Sequence, residues 1–218
     1  MKAFVAGATG ETGRRIVGEL VQRGIPVRAL VRDLEKAKQI LPAEAECVVG
    51  DVLQVQSLRD AIADCTVILS ATGAAPSFDP TGPYRVDFEG TKNLVEVAKE
   101  KGIQNFVMVS SLCTSLLFHP LNLFWLILVW KKQAEEYLQK SGLTYTIVRP
   151  GGLKNDDNSD SIVMKGADQL FDGSIPRAKV AQVCVEALFL PSAQNKIVEI
   201  VAKPEAPAQP FEALFASV

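Results

Sequence analysis

The chain has 218 residues, enough to bury a full core within a single domain. Its 23 basic and 25 acidic side chains leave a formal charge of -2, so nothing in the composition recommends nucleic acid as a partner. Cys47, Cys65, Cys113 and Cys184 show no C-x-x-C spacing and mostly lie in apolar runs, which predicts reduced, buried thiols in a cytosol-like compartment and neither a disulfide nor a metal site.

Lys2 to Ala6 is a short apolar strand that runs, with no charged leader before it, into GATGETG. Ile16, Val17, Leu20 and Val21 then recur at helical spacing. A glycine turn between a strand and a helix points backbone N–H groups and the positive end of the helix dipole at one spot, where a phosphate is the favoured ligand. Gly7, Gly10 and Gly13 would serve the tight turn, the approach of backbone to a pyrophosphate, and the packing of helix on strand. The plain alternative is an ordinary strand-to-helix turn. Pro26 to Val31 is a second strand, ending on Arg32 and Asp33. In a dinucleotide fold an acid there bonds the ribose hydroxyl, whereas an arginine accepts a 2′-phosphate; Arg32 comes first and Lys36 and Lys38 follow, which predicts NADP over NAD. A solvated strand end is the rival reading of Arg32.

Leu34 to Leu41 is a short helix and Ala45 to Val49 a third strand, followed by Gly50, Asp51 and Val52. Asp51 can accept from an adenine amino group while Val52 packs on the ring, or it can cap the next helix. After a helix from Ser57 to Ala63, Cys65 to Ser70 forms a fourth strand and runs into ATGAAP. There the small residues Ala71, Thr72 and Gly73 let a ligand lie close to the backbone. A turn at Pro80 to Pro83 leads to a long helix, Tyr84 to Lys101, and a fifth strand, Phe106 to Val109, ending in Ser110 and Ser111. These two hydroxyls either bond a nicotinamide carboxamide or substrate oxygen, or cap the next turn. The alternation predicts an α/β fold: a Rossmann-like, doubly wound parallel sheet with helices on both faces.

From Leu121 to Gln139 the residues are helix-compatible, apolar all round at first and charged later. Within it, Leu123 to Trp130 is the longest apolar run, far short of the ~20 residues that a membrane span needs. Its apolar front requires a cover, either the protein's own sheet, an aromatic substrate, or a partner or membrane surface; core burial is the commonest fate of such a helix. His119, the only histidine, has no nearby acid in sequence to orient it and reads as a loop residue rather than a general acid. Leu143 to Val148 is a sixth strand, followed by the glycine-bearing turn RPGGL. Asn155 to Asp160 is a polar loop without the ligand spacing of a calcium site. A turn at Asp168 to Gly173, a helix from Ser174 to Leu190, a strand from Ile197 to Val201 and a closing helix, Phe211 to Ala216, complete the chain. Residues 1–150 read as a cofactor-binding core and 151–218 as a small substrate-side lobe of the same domain.

With these motifs together, namely GATGETG, VRD at Val31 to Asp33, GDV at Gly50 to Val52, Ser110–Ser111 and YTIVRPGGL at Tyr145 to Leu153, the chain resembles the atypical, NmrA-like short-chain dehydrogenases/reductases. LFWLILVWKKQAEEYL and RPGGLKND are similar to plant chloroplast and cyanobacterial members, including the NADPH-binding domain of a chloroplast import component. GATGxTG, LVRD and VVGDVLQ are more distantly similar to biliverdin reductase B, a flavin reductase. The resemblance implies that Gly7, Ala8, Thr9, Gly10, Glu11, Thr12 and Gly13 hold the pyrophosphate of NADP(H) and Arg32 its 2′-phosphate. It further assigns Asp51 and Val52 to the adenine, Ala71, Thr72 and Gly73 to the ribose side, and Pro150, Gly151 and Gly152 to the flank of the nicotinamide, near Ser110. Members with full alcohol chemistry carry Tyr-x-x-x-Lys; here Ile127 precedes Lys131 by four and Leu128 precedes Lys132, so that proton donor is missing.

The expectation is an NADPH-dependent reductase of a planar, electron-poor acceptor, a flavin such as FMN or riboflavin or a biliverdin-type tetrapyrrole, with Ser111 and Lys131 as the candidate catalytic residues. The alternative is a non-catalytic NADP(H)-binding sensor or scaffold at a photosynthetic membrane. A monomer or weak dimer in a cyanobacterial cytosol or plastid stroma suits either, with peripheral attachment to a thylakoid as the membrane option.

Overall fold

The structure is a computed structural model that describes residues 1–74 and 78–218, so Ala75 and Pro76 of the ATGAAP run lie outside the described residues. Along the first half the chain alternates β1 (Ala3–Ala6), α1 (Glu11–Gln22), β2 (Val27–Val31), α2 (Leu34–Ile40), β3 (Glu46–Val49), α3 (Val55–Ile62), β4 (Val67–Ser70), α4 (Gly90–Lys101) and β5 (Asn105–Val109). The second half adds α5 (Ile127–Gln139), β6 (Tyr145–Pro150), β7 (Gly152–Lys154), β8 (Ser161–Gly166), β9 (Ser174–Pro176), α6 (Arg177–Glu186), β10 (Lys196–Lys203) and α7 (Phe211–Ala216).

The main sheet has eight strands in the order β3-β2-β1-β4-β5-β6-β10-β8, with β8 alone antiparallel. This is the doubly wound parallel sheet that the alternation predicts. Its order reverses between β1 and β4, and a crevice opens at the carboxyl ends there, the usual ligand position of such sheets. Successive residues of β1 serve opposite faces. Ala3 and Val5 join a core with Ile16, Val17 and Leu20 of α1, Val180 and Cys184 of α6 and Phe215 of α7, whereas Phe4 and Ala6 join one with Leu58 of α3, Leu94 of α4 and Leu138 of α5. Each fully buried side chain such as Phe4 or Leu20 contributes roughly 1.5–3 kcal/mol.

Three sequence expectations need correction. The helix expected from Leu121 is a 3₁₀ turn, Pro120–Leu123, and α5 begins only at Ile127. Between them Trp125 and Leu126 adopt left-handed φ values of 57° and 56°, which reverse the chain. The Asn122 amide organises the loop, donating to the carbonyls of Leu116 and Leu117 while its oxygen accepts from the N–H of Leu128. Core burial consequently fails for the front of the run: Leu123 is 85% and Phe124 66% exposed, while Leu128 is buried.

RPGGL, second, is no free turn. Strand β6 runs through Arg149 and Pro150, which pair with Glu199 and Ile200 of β10, and Gly152 already starts β7. Third, residues from Ser174 form β9 before α6, because Pro176 is in an extended conformation and ends the strand as the helix N-cap. The C-terminal third therefore supplies β8 and β10 to the main sheet and pairs β7 with β9 beside it.

Candidate functional site

The first turn has the shape that a diphosphate requires. Gly7 has φ +74°, and a β-carbon there would stand 2.5 Å from the Ala71 carbonyl oxygen. One at Gly13 would collide with the Gly7 carbonyl. Gly10 N–H closes the turn on Gly7 O at 3.0 Å and is the N-cap of α1, with no side chain capping the helix. The leading N–H groups of α1 lack intrahelical partners, and at an uncapped helix end they suit an anion. The Glu11 carboxylate sits instead with Arg15 and Arg14, at 3.0 and 2.7 Å, and the Arg15 hydrogen bond holds it below its ordinary pKa.

A cleft of about 360 Å³ follows, lined by Gly7, Thr9, Gly10, Arg32, Asp51, Val52, Ala71, Thr72 and Gly73 among others. Nine of the sequence-predicted residues thus converge on one groove. Ala8, Thr12 and Gly13 lie beneath it, buried, so their part is to shape the turn. At the β2 tip, Asp33 is consumed as the cap of α2, accepting from the Lys36 N–H at 3.0 Å. Lys38 is paired with Glu35. Arg32, exposed on the cleft, has no ion-pair partner among the described residues, and its neighbours leave it open to an anionic ligand. Asp51 does not cap α3, whose N-cap is Gln54; its Oδ1 accepts from the Leu53 N–H in a local turn.

At the far end of the cleft, the Lys131 ammonium meets Asp87 Oδ1 at 2.7 Å, and Asp87 Oδ2 accepts from the Ala74 N–H at 3.0 Å. Asp87 is almost wholly buried and belongs to a π-helical stretch, Tyr84–Glu89, that leads into α4. Sequence reading missed it; an acid inside an apolar helix face was the available signal. π-Turns often mark functional positions. A void large enough for about one water is lined by Thr72, Asp87, Thr91, Ser110 and Lys131 among others.

The Ser110 hydroxyl is buried and donates to Glu135 Oε1 at 2.6 Å, so its proton is engaged within the protein. Ser111 is half-buried, with its hydroxyl unclaimed by protein among the described residues. Pro150, Gly151 and Gly152 do not join the lining of the cleft. Gly151 is glycine for packing, since a β-carbon there would stand 2.7 Å from the Gly173 carbonyl oxygen and 2.9 Å from Val201. His119 is a loop residue, its Nδ1 accepting from the Leu121 N–H.

Behind Ser110 lies a polar cluster that sequence reading also missed. Arg149, with no exposed surface, donates to both oxygens of Glu135 at 2.9 and 2.6 Å, to Glu199 at 3.1 Å and to Asp168 at 2.8 Å. Burial works against its charge, but the three carboxylates outweigh it and raise its pKa. The available signal was a charged residue set among apolar neighbours in each of two strands, Arg149 and Glu199, which prove to be register partners.

The comparisons agree with this geometry. The family model described as NAD(P)H-binding matches residues 7–191. An uncharacterized chloroplastic protein of Arabidopsis thaliana is 47% identical over all of this chain and 82% of its own. Sanguinarine reductase of Eschscholzia californica is 30% identical over all of this chain and 96% of its own. Protein TIC 62 of Pisum sativum is 35% identical over 99% of this chain, which spans only 45% of that relative. Among solved structures, a Bacillus halodurans protein of the NAD-dependent epimerase/dehydratase kind superposes over the full length of both chains with a TM-score of 0.88 and 27% identity. The chain belongs to the NAD(P)H-binding, Rossmann-fold family of atypical short-chain dehydrogenases/reductases.

Proposed function

We propose that this chain is an NADPH-dependent reductase of a planar, electron-poor acceptor, a flavin or a biliverdin-type tetrapyrrole. One observation carries the reading. The sequence holds three tyrosines, and none is offered to the cleft: Tyr84 donates to Glu89, Tyr137 donates to Glu96, and Tyr145, which accepts from Gln139, opens β6 at the strand end away from the cleft. No tyrosine therefore serves as the proton donor that an ordinary ketone requires, whereas a conjugated acceptor delocalises the incoming charge and takes its proton from solvent. The bound nicotinamide supplies the hydride. The protein's part is to grip the cofactor, orient the acceptor and exclude water.

Arg32, free beside a consumed Asp33, supports NADPH as the cofactor. The acceptor lies over the nicotinamide, between Ser111, residues 112–118 and the start of β7 at Gly152, where the Gly152 N–H donates to the Gly173 carbonyl at the end of the 168–173 turn, with Ser111 orienting it and Lys131 fixed by Asp87 at the ribose side. The full-length likeness to a sanguinarine reductase supports a reductase. Chloroplastic relatives support a plastid location. Stopped-flow NADPH oxidation with FMN, riboflavin, biliverdin and sanguinarine is the test; tight NADPH binding without turnover of any acceptor refutes the reading.

A second reading rests on the exposed Leu117, Phe118, Leu123 and Phe124, an apolar patch of the kind that marks an interaction surface. In it the chain is a non-catalytic NADP(H)-binding module that docks on a partner or thylakoid-type membrane. No helix of the described residues is long and apolar enough to cross a membrane, so attachment would be peripheral. Sedimentation with thylakoid-type vesicles at NADPH and at NADP tests it, and absence from the pellet in both states counts against it.

A further inference from the structure

Two turns flank the expected acceptor position, residues 111–118 after β5 and residues 168–173 after β8, and each contains a strained non-glycine residue. Cys113 has φ +63° and Asp168 φ +62°. Such conformations persist only where the surroundings over-determine them, and they concentrate at functional sites. Here the surroundings are one buried cluster. Glu135 accepts from Ser110 at 2.6 Å and from Thr114 at 3.4 Å, which ties the first turn to α5. Glu199 accepts from the N–H groups of Asp168, Gln169 and Leu170 at 2.9, 2.9 and 2.7 Å, which ties the second turn to β10. Arg149 joins the two carboxylates and reaches Asp168 as well. The turns also meet directly, through Cys113 Sγ and the Phe171 carbonyl at 3.4 Å.

We infer that Glu135 is a positioning residue of the acceptor site, which through Ser110 and Arg149 holds both turns in the shape that receives the planar acceptor. The inference rests on the reductase reading for where the acceptor lies. A fully buried ion cluster is weak evidence for stability in itself, because desolvation offsets the attraction. Its effect here is to fix two walls at once. Glu135 does not line the cofactor cleft and reaches the void beside Lys131 only through Ser110, so its removal should act on the acceptor more than on the nucleotide.

The experiment compares Ser110→Ala and Glu135→Gln with the wild-type chain, using FMN as acceptor. Ser110→Ala removes one hydrogen bond to a charged group and should raise the KM for FMN about tenfold, a larger change than calorimetry shows for NADPH affinity. Glu135→Gln should raise it further. A purely structural role would lower the melting temperature and leave the KM below that temperature unmoved, and this result overturns the inference. Amide hydrogen exchange supplies a readout that needs no turnover. In Ser110→Ala, residues 111–118 and 168–173 should both exchange faster, and acceleration of the first turn alone overturns the coupling even if FMN proves not to be reduced. Failure of the wild-type chain to oxidise NADPH with any acceptor, together with coupled exchange, would count against the reductase reading and leave the clamp standing.

Discussion

Lys131 Nζ stands 2.7 Å from a carboxylate oxygen of Asp87, and both lie against the backbone of Gly73 at the end of the nucleotide cleft. The side chain of Asp87 is 1% exposed and that of Lys131 16%, so the two halves of the pair are not equivalent. Removing the lysine strands a buried negative charge, whereas removing the acid leaves an ammonium that can reach water. Lys131→Met should therefore destabilise the fold by about 3 kcal/mol or more in chemical denaturation. Asp87→Asn should cost less, since the amide oxygen still accepts from the Ala74 N–H. The double replacement Lys131→Met with Asp87→Leu should recover much of the loss. A larger loss for Asp87→Asn than for Lys131→Met would contradict this account.

The glycines of the first turn and helix separate by surroundings. Gly7→Ala places a β-carbon 2.5 Å from Ala71 O at positive φ, and Gly13→Ala drives one into the Gly7 carbonyl. Both should abolish nucleotide binding and lower stability. Gly18, in the interior of α1, has open space where its β-carbon would lie, so Gly18→Ala should stabilise the chain by about 0.5–1 kcal/mol. Thermal melts with and without NADPH test all three, and retained binding in Gly7→Ala would refute the cradle.

Much of this was legible in the sequence because the sheet is buried on both faces. Continuous apolar runs such as VILS and FVMV can scarcely be anything but central strands of a parallel sheet, and GATGETG between a strand and a helix fixed the cleft. Illegible parts have physical causes. β8 is a half-exposed antiparallel edge strand with no strong period, and β7 and β9 are three-residue segments. The apolar run before α5 satisfies helical spacing, yet two left-handed residues break it, and propensity does not foresee a turn organised by one asparagine. The Arg149 cluster joins residues up to 64 positions apart, from Glu135 to Glu199, and only the fold brings them together.

Arg32 provides the cofactor test. It borders the cleft without an ion-pair partner among the described residues, beside an Asp33 that caps α2. A charge-assisted contact to a 2′-phosphate should be lost in Arg32→Ala, weakening NADPH binding about tenfold or more while NADH affinity stays as it was. Calorimetry with both nucleotides decides it, and an undiminished NADPH preference would assign the discrimination elsewhere.

The cysteines should be inert. Cys184 is fully buried, and burial pushes its thiol up to about 12; burial likewise pushes Cys65 up to about 11. The thiolate is the reactive form, so at pH 8 neither should react with a disulfide reagent in the folded protein. Burial raises the Cys47 thiol as well, but Cys47 is half-buried where the other three are buried, and it should be the first to react. Rapid modification of Cys184 under native conditions would show that α6 opens.

Asp168 gives the clamp its pH dependence. Burial pushes its carboxyl upward, but hydrogen bonds from Ser115 and Arg149, together with the Arg149 charge, outweigh it and hold the group below the usual carboxylate value. A folded pKa below the unfolded one means that the contribution is fully present above about pH 3.9 and disappears as pH falls through the lower, folded value. With its side chain 47% exposed, solvent screens the pair and the effect is modest. Asp168→Asn should accordingly be less stable than the wild-type chain at pH 7, with the difference shrinking below pH 4 and vanishing once both chains carry a neutral side chain at this position. Urea denaturation at stepped pH measures this. A difference that persists undiminished at low pH would mean that the charge of Asp168 holds nothing.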